Sequence, residues 1–309
     1  MPYPLITLCG SYNFSKEWVV PCLNSWTKIS NIDLNNLHLI RDGHLSEIDA
    51  EKLEKMNIKV VSIDIQSKID DFLEIYPNLK KIRDIDITWR KLLDTAILFS
   101  KHEKVVLIDT DVLINRPISL PEGDFEIMYM REDIPAYRAN WKIVWLEEMV
   151  PALNAGLVIF NPQIIDFDYL EFITKKYLIT CNNYWWSEQS AWSCLAGRSK
   201  KKMLFSGDEV RVLGGFHKRN AKQIRQNKYK YVGSNNIITD FEDFKPLLKG
   251  SLIVHFAGLG KRWFAESLEY LTTEPVGSSS IIRIKSYPEK NLRLIDKIMI
   301  SMRLYFKER

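Results

Sequence analysis

Val105-Val106-Leu107-Ile108-Asp109-Thr110-Asp111-Val112-Leu113-Ile114 is the stretch on which the fold of this 309-residue chain turns. The apolar run, led in by Lys104, predicts a buried strand over Lys104 to Ile108. Two carboxylates follow at once, two residues apart. Extended geometry sends Asp109 and Asp111 to one side and Thr110 to the other. Acids placed where a buried strand ends lose hydration, which is costly unless a partner compensates. A divalent cation is such a partner, because hard cations take oxygen ligands. Read alone, the same residues also fit a pair of solvated turn aspartates.

Working towards the N-terminus, strands and helices alternate. Leu5 to Cys9 is a short apolar strand closed by Gly10-Ser11. Trp18, Val19, Cys22, Leu23 and Trp26 fall at helical spacing within Lys16 to Trp26. Leu37 to Ile40 predicts a second strand with a turn at Asp42-Gly43, and Ser46 caps a helix over Ser46 to Met56. Lys59 to Ile63 predicts a third strand, and Thr88 to Ser100 a helix. This alternation implies βαβ units in an open α/β sheet, where ligands lie beyond the carboxyl ends of the strands. Towards the C-terminus, strand-like pieces recur at Phe125 to Tyr129, Ala155 to Asn161 and Ser251 to Phe256, between long irregular Trp-rich stretches. The expectation is one mixed sheet.

Composition narrows the class. Hydrophobic residues make up 46% and charged residues 27%, which excludes a disordered chain or a fibre. No apolar run approaches the roughly 20 residues that span a bilayer. Met1-Pro2-Tyr3-Pro4 has no basic region of the secretory kind. Cys9, Cys22, Cys181 and Cys194 form no CxxC pair, so neither a disulfide framework nor a zinc ribbon is expected. The cytosol is the simplest compartment. The net charge is +4, yet residues 281–309 alone carry eight Lys/Arg against three Asp/Glu. A second basic stretch runs from Arg198 to Lys230. Both suit a solvated face or an anionic partner such as a nucleotide phosphate, a lipid head group or a charged glycan. No nucleic-acid-binding motif accompanies them.

A second motif follows another apolar strand: His255-Phe256-Ala257-Gly258-Leu259-Gly260-Lys261-Arg262-Trp263. A neutral imidazole ligates metals. Gly258 and Gly260 let the backbone approach a phosphate closely, and Lys261 supplies a compact positive charge. A core histidine followed by a glycine turn is the plainer reading.

Together these segments resemble glycosyltransferases of the GT-A fold. Val105 to Ile114 is similar to their metal-binding Asp-x-Asp segment. His255, Gly258 and Lys261 have the spacing of the C-terminal motif of glycosyltransferase family 8 and glycogenin-like enzymes. Leu153-Asn154-Ala155-Gly156-Leu157-Val158-Ile159-Phe160-Asn161 resembles that family's Phe-Asn-Ala-Gly strand, and Ser187-Glu188-Gln189-Ser190-Ala191-Trp192 its Asp-Gln-Asp segment. Trp89-Arg90-Lys91-Leu92 resembles the segment whose Arg or Lys reaches the donor. The likeness runs from about residue 5 to 264, in family order. It departs at Glu188, Ser190 and Arg262, where Asp, Asp and Pro are usual, and after Cys9, where an acid often meets uracil.

The resemblance implies a GT-A domain over residues 1–274, a single mixed central sheet flanked by helices, and a basic amphipathic tail over 275–309 that begins at a hinge near Glu274 to Ser280. It implies a metal-dependent hexosyltransferase for bacterial surface glycans, with a UDP-sugar donor and a saccharide or glycolipid acceptor. Asp109, Asp111 and His255 would hold Mn²⁺ or Mg²⁺. Cys9, Tyr12, Arg90, Lys91, Thr110, Asn154, Ala155, Gly156, Gly258 and Lys261 would line the donor, with Tyr12 stacking on the base and Asn154 in the floor under the sugar. Glu188 would fix sugar hydroxyls and Gln189 would lie near the anomeric carbon. Family 8 enzymes retain configuration; an inverting route would need a base such as Glu188, Asp133 or Glu132. A nucleotidyltransferase would carry a Gly-rich phosphate loop after the first strand, which Gly10-Ser11-Tyr12 lacks. A degenerate GT-A domain that only binds glycans is a further alternative, against which the intact Asp109, Asp111, His255 and Lys261 argue.

For the acceptor, Trp185 and Trp186 are the favoured aromatic contacts, ahead of Trp141, Trp145 and Trp192, and His217-Lys218-Arg219 is a candidate for an acidic group. Within Asn291 to Arg309, the residues Leu292, Ile295, Met299, Met302 and Phe306 share one helical face. A basic amphipathic helix suits a membrane surface, giving peripheral attachment at the cytoplasmic membrane, or packing on the domain.

Overall fold

The computed structural model describes residues 3–41, 44–60, 63–131, 137–180, 186–213, 241–273 and 280–308. Asp42-Gly43, Glu132, Asp133, Cys181, Trp185, His217-Lys218-Arg219, most of the second basic stretch and residues 274–279 of the expected hinge lie outside them.

The strand over Val105–Ile108 (β4) forms as its apolar run dictates, with all four residues buried. Its side chains alternate between two cores. Val105 and Leu107 pack with Trp89, Leu92 and Trp192, while Val106 and Ile108 pack with Leu5, Leu39 and Val112. A strand covered on both faces needs no polar alternation, which is why it reads as a continuous apolar run. β4 lies parallel to β1 (Tyr3–Cys9), which lies parallel to β2 (Ile32–Arg41) and so to β3 (Lys59–Val60). On its other side β4 runs antiparallel to β8 (Leu153–Phe160). β7 (Ile127–Arg131), β9 (Lys202–Phe205) and β13 (Ser286–Pro288) complete an eight-stranded mixed sheet in the order β13-β9-β7-β8-β4-β1-β2-β3. Helices flank it, as the sequence predicts.

His255, however, stands outside that sheet. After Asp111 the chain leaves the main sheet as β5 (Val112–Ile114), which pairs antiparallel with β11 (Ile253–His255); β10 (Val210–Val212) adds a third strand. The indole N–H of Trp26 donates to Val112 O at 2.9 Å, and Ser25 Oγ accepts from Ile114 N–H at 2.9 Å. These bonds fasten β5 beside the helix Val19–Ser25.

Several stretches that read as irregular are helical: Phe167–Ile173, Ser187–Arg198, Phe241–Gly250 and Phe264–Thr273. Residues Ser187 to Gly197 are buried throughout, so this helix has no polar face to give it a period. Among the described residues the third strand covers Lys59–Val60, and Ile63 belongs instead to a helix that runs to Leu73, followed by another over Pro77–Ile85.

At the C-terminal end, β12 (Ile282–Arg283) pairs with β6 (Ile118–Ser119), and β13 adds to the sheet edge against β9. The helix Leu294–Glu308 follows and packs near Ile143–Leu146. It buries Asp296, Ile300, Ser301 and Leu304, with Leu292 just ahead of it. That is not the face expected from the sequence. Leu292 is buried, but Ile295 and Met302 are exposed. Leu292 N–H donates to Met149 O at 2.9 Å, which sets the rotation at which the helix docks.

Candidate active site

Two registers converge on Gly156. In the β4–β8 ladder Ile108 sits opposite Leu157, so one step on Asp109 N–H donates to Gly156 O at 2.8 Å. A turn through Thr110 then delivers Asp111, with Val112 N–H donating to Asp109 O at 3.0 Å. In the small sheet His255 sits opposite Val112, and Phe256 N–H donates to Asp111 O at 3.0 Å. Backbone pairing alone therefore brings the acids and the distant imidazole together. One ligand atom from each of Asp109, Asp111 and His255 lies within 4.8 Å of the others.

The donor set suits a divalent cation. Asp111 Oδ1 is buried, and among the described residues no donor reaches it apart from His255 Nε2 at 3.2 Å. A carboxylate oxygen and an imidazole nitrogen at that separation are reconciled by a proton or by a shared cation. Two carboxylates and one imidazole match hard-to-borderline ions such as Mg²⁺ or Mn²⁺.

Two lysines neutralise the acids. Lys91 Nζ lies 3.0 and 3.1 Å from the Asp109 oxygens, and Lys261 Nζ 2.7 Å from Asp111 Oδ2. Burial works against the charge on Lys91, but Asp109 and Glu188 hold its pKa above the ordinary lysine value. Burial also opposes Asp111, yet His255 and Lys261 hold its carboxyl well below the usual carboxylate range. Lys261 stands on a short turn that begins after Gly258, whose φ of 50° lies in the region that favours glycine. Its ammonium also lies 5.3 Å from the centre of the Trp18 ring.

Gln189 Oε1 accepts from Ala155 N–H at 3.3 Å, joining the helix Ser187–Arg198 to β8. Glu188 is buried and accepts the indole N–H of Trp192 at 2.6 Å. Burial pushes its pKa up to about 7, with Asp109 adding to the rise while Lys91 and Trp192 oppose it. Trp89 Nε1 donates to Ser187 Oγ at 2.8 Å, so the helix Trp89–Leu98 and the helix carrying Glu188 meet at their N-terminal ends.

The remaining sequence-predicted residues fall into place unevenly. Of the adjacent cations, Lys91 reaches Asp109, whereas Arg90 Nη1 donates to Arg41 O at 3.2 Å at the end of β2. Cys9 is fully buried, with its thiol facing Gly10 O at 3.6 Å. Tyr12 is 75% exposed, with Lys16 Nζ 3.9 Å over its ring. Thr110 and Asn154 are buried. Trp186 is partly exposed with a φ of 74°, while Trp192 is buried and serves Glu188. Sequence reasoning missed this Trp192 contact, although the (i, i+4) spacing from Glu188 was its signal. It also missed that Gly156 must be glycine. A Cβ there would lie 2.3 Å from His255 Nδ1.

No family model matches the chain, and no curated protein matches it. Among the solved structures similar to it are the bifunctional glycosyltransferase WbbM in its apo form, mouse xyloside xylosyltransferase 1 in its apo form, and the galactosyltransferase LgtC in complex with donor and acceptor sugar analogs. WbbM is 13% identical with a TM-score of 0.49, over 89% of this chain and 50% of that one, so this chain spans about half its length. The mouse enzyme is 11% identical with a TM-score of 0.48, over 82% and 97% of the two chains. LgtC is 14% identical with a TM-score of 0.46, over 88% and 97%.

Proposed function

We propose that the chain is a metal-dependent glycosyltransferase of the GT-A type, moving a hexose from a UDP-sugar to a saccharide or glycolipid acceptor in bacterial surface glycan synthesis. The observation that carries this reading is the convergence of Asp109, Asp111 and His255 within 4.8 Å. Mn²⁺ or Mg²⁺ would be held by these three, and would supply positive charge against the charge that grows on the leaving diphosphate.

Lys261, on its turn after Gly258, exchanges Asp111 for a phosphate oxygen when the donor arrives. Lys91 stays in the wall, paired with Asp109. Ala155 and Gly156 line the sugar, Glu188 fixes its hydroxyls, and the exposed Tyr12 ring offers a face to the base. Gln189 is an amide and a poor nucleophile. The resemblance to family 8 favours retention, and with no carboxylate nucleophile at Gln189 we assign it to front-face attack, in which the departing phosphate takes the acceptor proton. Nuclear magnetic resonance of the product decides this: a beta product from an alpha donor rejects retention.

No helix among the described residues is long and apolar enough to cross a membrane. Membrane contact is assigned instead to the exposed face of Leu294–Glu308. There Leu294, Ile295, Ile298, Met302 and Tyr305 lie beside Arg293 and Lys297, with Trp145 and Leu146 exposed on the neighbouring helix. Because β12, β13 and the buried side of this helix belong to the folded body, truncation is a poor test. Ile298→Asp with Met302→Asp should abolish co-sedimentation with anionic liposomes; undiminished binding rejects the contact.

The function itself is tested with a UDP-sugar panel and Mn²⁺. Hydrolysis of one member, lost on chelation and in Asp111→Asn, supports the reading. Failure to turn over any member or to bind UDP with Mn²⁺ ends it.

A further inference from the structure

His255 sits in a socket more specific than a ligand needs merely to be present. Its Nδ1 lies 2.9 Å from Asn154 Oδ1. The same oxygen accepts the N–H of Gly156 at 2.8 Å. That donor fixes which end of the carboxamide faces the ring, because an amide nitrogen there would meet a second donor. An oxygen opposite Nδ1 requires the proton to be on Nδ1. The other nitrogen, Nε2, then faces Asp111 Oδ1, 3.2 Å away, where it shares a second proton with that oxygen or, once a cation displaces that proton, offers its lone pair to the cation.

Gly156 completes the socket by having no side chain. A Cβ there would stand 2.3 Å from His255 Nδ1, 2.5 Å from Cε1 and 2.9 Å from Asn154 Oδ1. Such separations do not occur between packed atoms, so the ring would have to leave.

We propose that Asn154 is a positioning residue of the cation site: its carboxamide oxygen, anchored by the Gly156 N–H, holds the His255 proton on Nδ1 and so presents the Nε2 lone pair to a cation shared with Asp109 and Asp111. This rests on the cation site proposed above and gives Asn154 a task other than flooring the sugar pocket. Ring nitrogens that bind metal are commonly oriented through the hydrogen bond made by the other nitrogen. Here the partner is a neutral amide, so it sets the tautomer without adding charge to a site that already holds two carboxylates.

The test reads the tautomer and the metal separately, on the full-length chain. Histidine is labelled with ¹⁵N, and the ring signals of His255 are those lost in His255→Gln. In the metal-free protein the expected pattern is a protonated Nδ1 hydrogen-bonded to Asn154 Oδ1, and in the Mg²⁺-loaded protein a protonated Nδ1 with an Nε2 that carries no proton. Asn154→Ala should release the proton towards Nε2 and weaken Mn²⁺ binding, followed by electron paramagnetic resonance with the metal alone, by about 10- to 100-fold. Asn154→Asp keeps an acceptor oxygen and should keep the Nδ1 proton. Gly156→Ala should weaken Mn²⁺ binding at least as much while still melting cooperatively. If Asn154→Ala does not fold, Asn154→Leu fills the volume without an acceptor and takes its place.

A wild-type neutral ring with its proton on Nε2 overturns the proposal. So does an acceptor-less variant that keeps both the Nδ1 proton and Mn²⁺ affinity within about twofold of wild type. If the wild-type chain binds no Mn²⁺ while its tautomer still depends on Asn154, the socket stands and the metal reading fails instead.

Discussion

Asp111 and Glu188 are both carboxylic acids, 6% and 3% exposed, in neighbouring regions of one site, and the protein drives them in opposite directions. Burial disfavours the charge on each. Around Asp111 the imidazole of His255 at 3.2 Å and the ammonium of Lys261 at 2.7 Å outweigh burial, and the acid stays ionised. Around Glu188 the hydrogen-bond donor is a neutral indole, Lys91 is already engaged by Asp109, and the Asp109 charge is itself repulsive. Burial therefore wins, and Glu188 reaches a pKa of about 7. Direct cationic contact, rather than depth, separates the two. The region around β5 and β11 is built for a permanent negative charge. The N-terminal end of the helix Ser187–Arg198 is built for a group that can either accept or donate a hydrogen bond near neutral pH.

Asp111→Asn breaks the first region outright. Turnover in the UDP-sugar assay should fall by about 10²- to 10³-fold or more, the loss expected when an electrostatic contact to developing charge is removed. The folded pKa of Asp111 lies below its ordinary 3.8, so its contribution to stability is present above that value and lost as pH falls. Melting curves of the variant should lack this acid-side loss. Activity within a few-fold of wild type would remove Asp111 from the machinery.

Glu188→Gln probes the second region and has the opposite sign. A carboxyl raised from 4.5 to about 7 stabilises the fold fully below 4.5, and that contribution is lost as pH rises through 7. The full shift corresponds to something on the order of 3 kcal/mol. Urea midpoints taken across this window should decline in wild type relative to Glu188→Gln. Parallel curves would mean that Glu188 is not held as described.

Trp192→Phe sharpens the contrast by removing only the donor. The Trp192 ring packs edge-to-face on Phe160, at 4.9 Å between centroids, and a Phe ring keeps an aromatic surface there. Losing the N–H favours the protonated acid, so the Glu188 transition should move further up. Above it, the variant should be about 1–3 kcal/mol less stable than wild type, the cost of a hydrogen bond to a charged group. A pH series of melting temperatures on both proteins checks direction and size together.

The two regions were also unequally legible in the sequence. Asp109 and Asp111 announce themselves because an apolar run ends on them. What binds them to His255, the pairing of β5 with β11, joins segments far apart in the chain and leaves no local pattern. Glu188 was found, but its helix is buried all round and so reads as irregular. Arg90 and Lys91 are indistinguishable as neighbours in sequence, yet successive helical residues point about 100° apart, and only Lys91 turns towards Asp109. The C-terminal helix carries two apolar stripes. The buried one, Leu292, Ile300 and Leu304, is interrupted by Asp296, whereas the stripe legible in the sequence, which suits a membrane surface or packing on the domain, shares Leu292 but is exposed at Ile295 and Met302.

That Asp296 supplies a third buried carboxylate and the smallest effect. It is 4% exposed, but it sits three residues after Arg293, whose backbone N–H it accepts at 3.1 Å at the start of the helix. The Arg293 guanidinium, at 3.0 Å, is itself largely exposed and adds little. An acid that reaches back to the first N–H of a helix acts mainly as an acceptor, with a modest bonus from the helix dipole. Asp296→Asn keeps an acceptor oxygen and loses only the charge. It should cost about 0.5 kcal/mol in urea denaturation and leave UDP-sugar hydrolysis unchanged. A loss of several kcal/mol would mean that buried carboxylates here depend on charge even where a backbone N–H satisfies them, and the distinction between Asp111 and Glu188 would have to be redrawn.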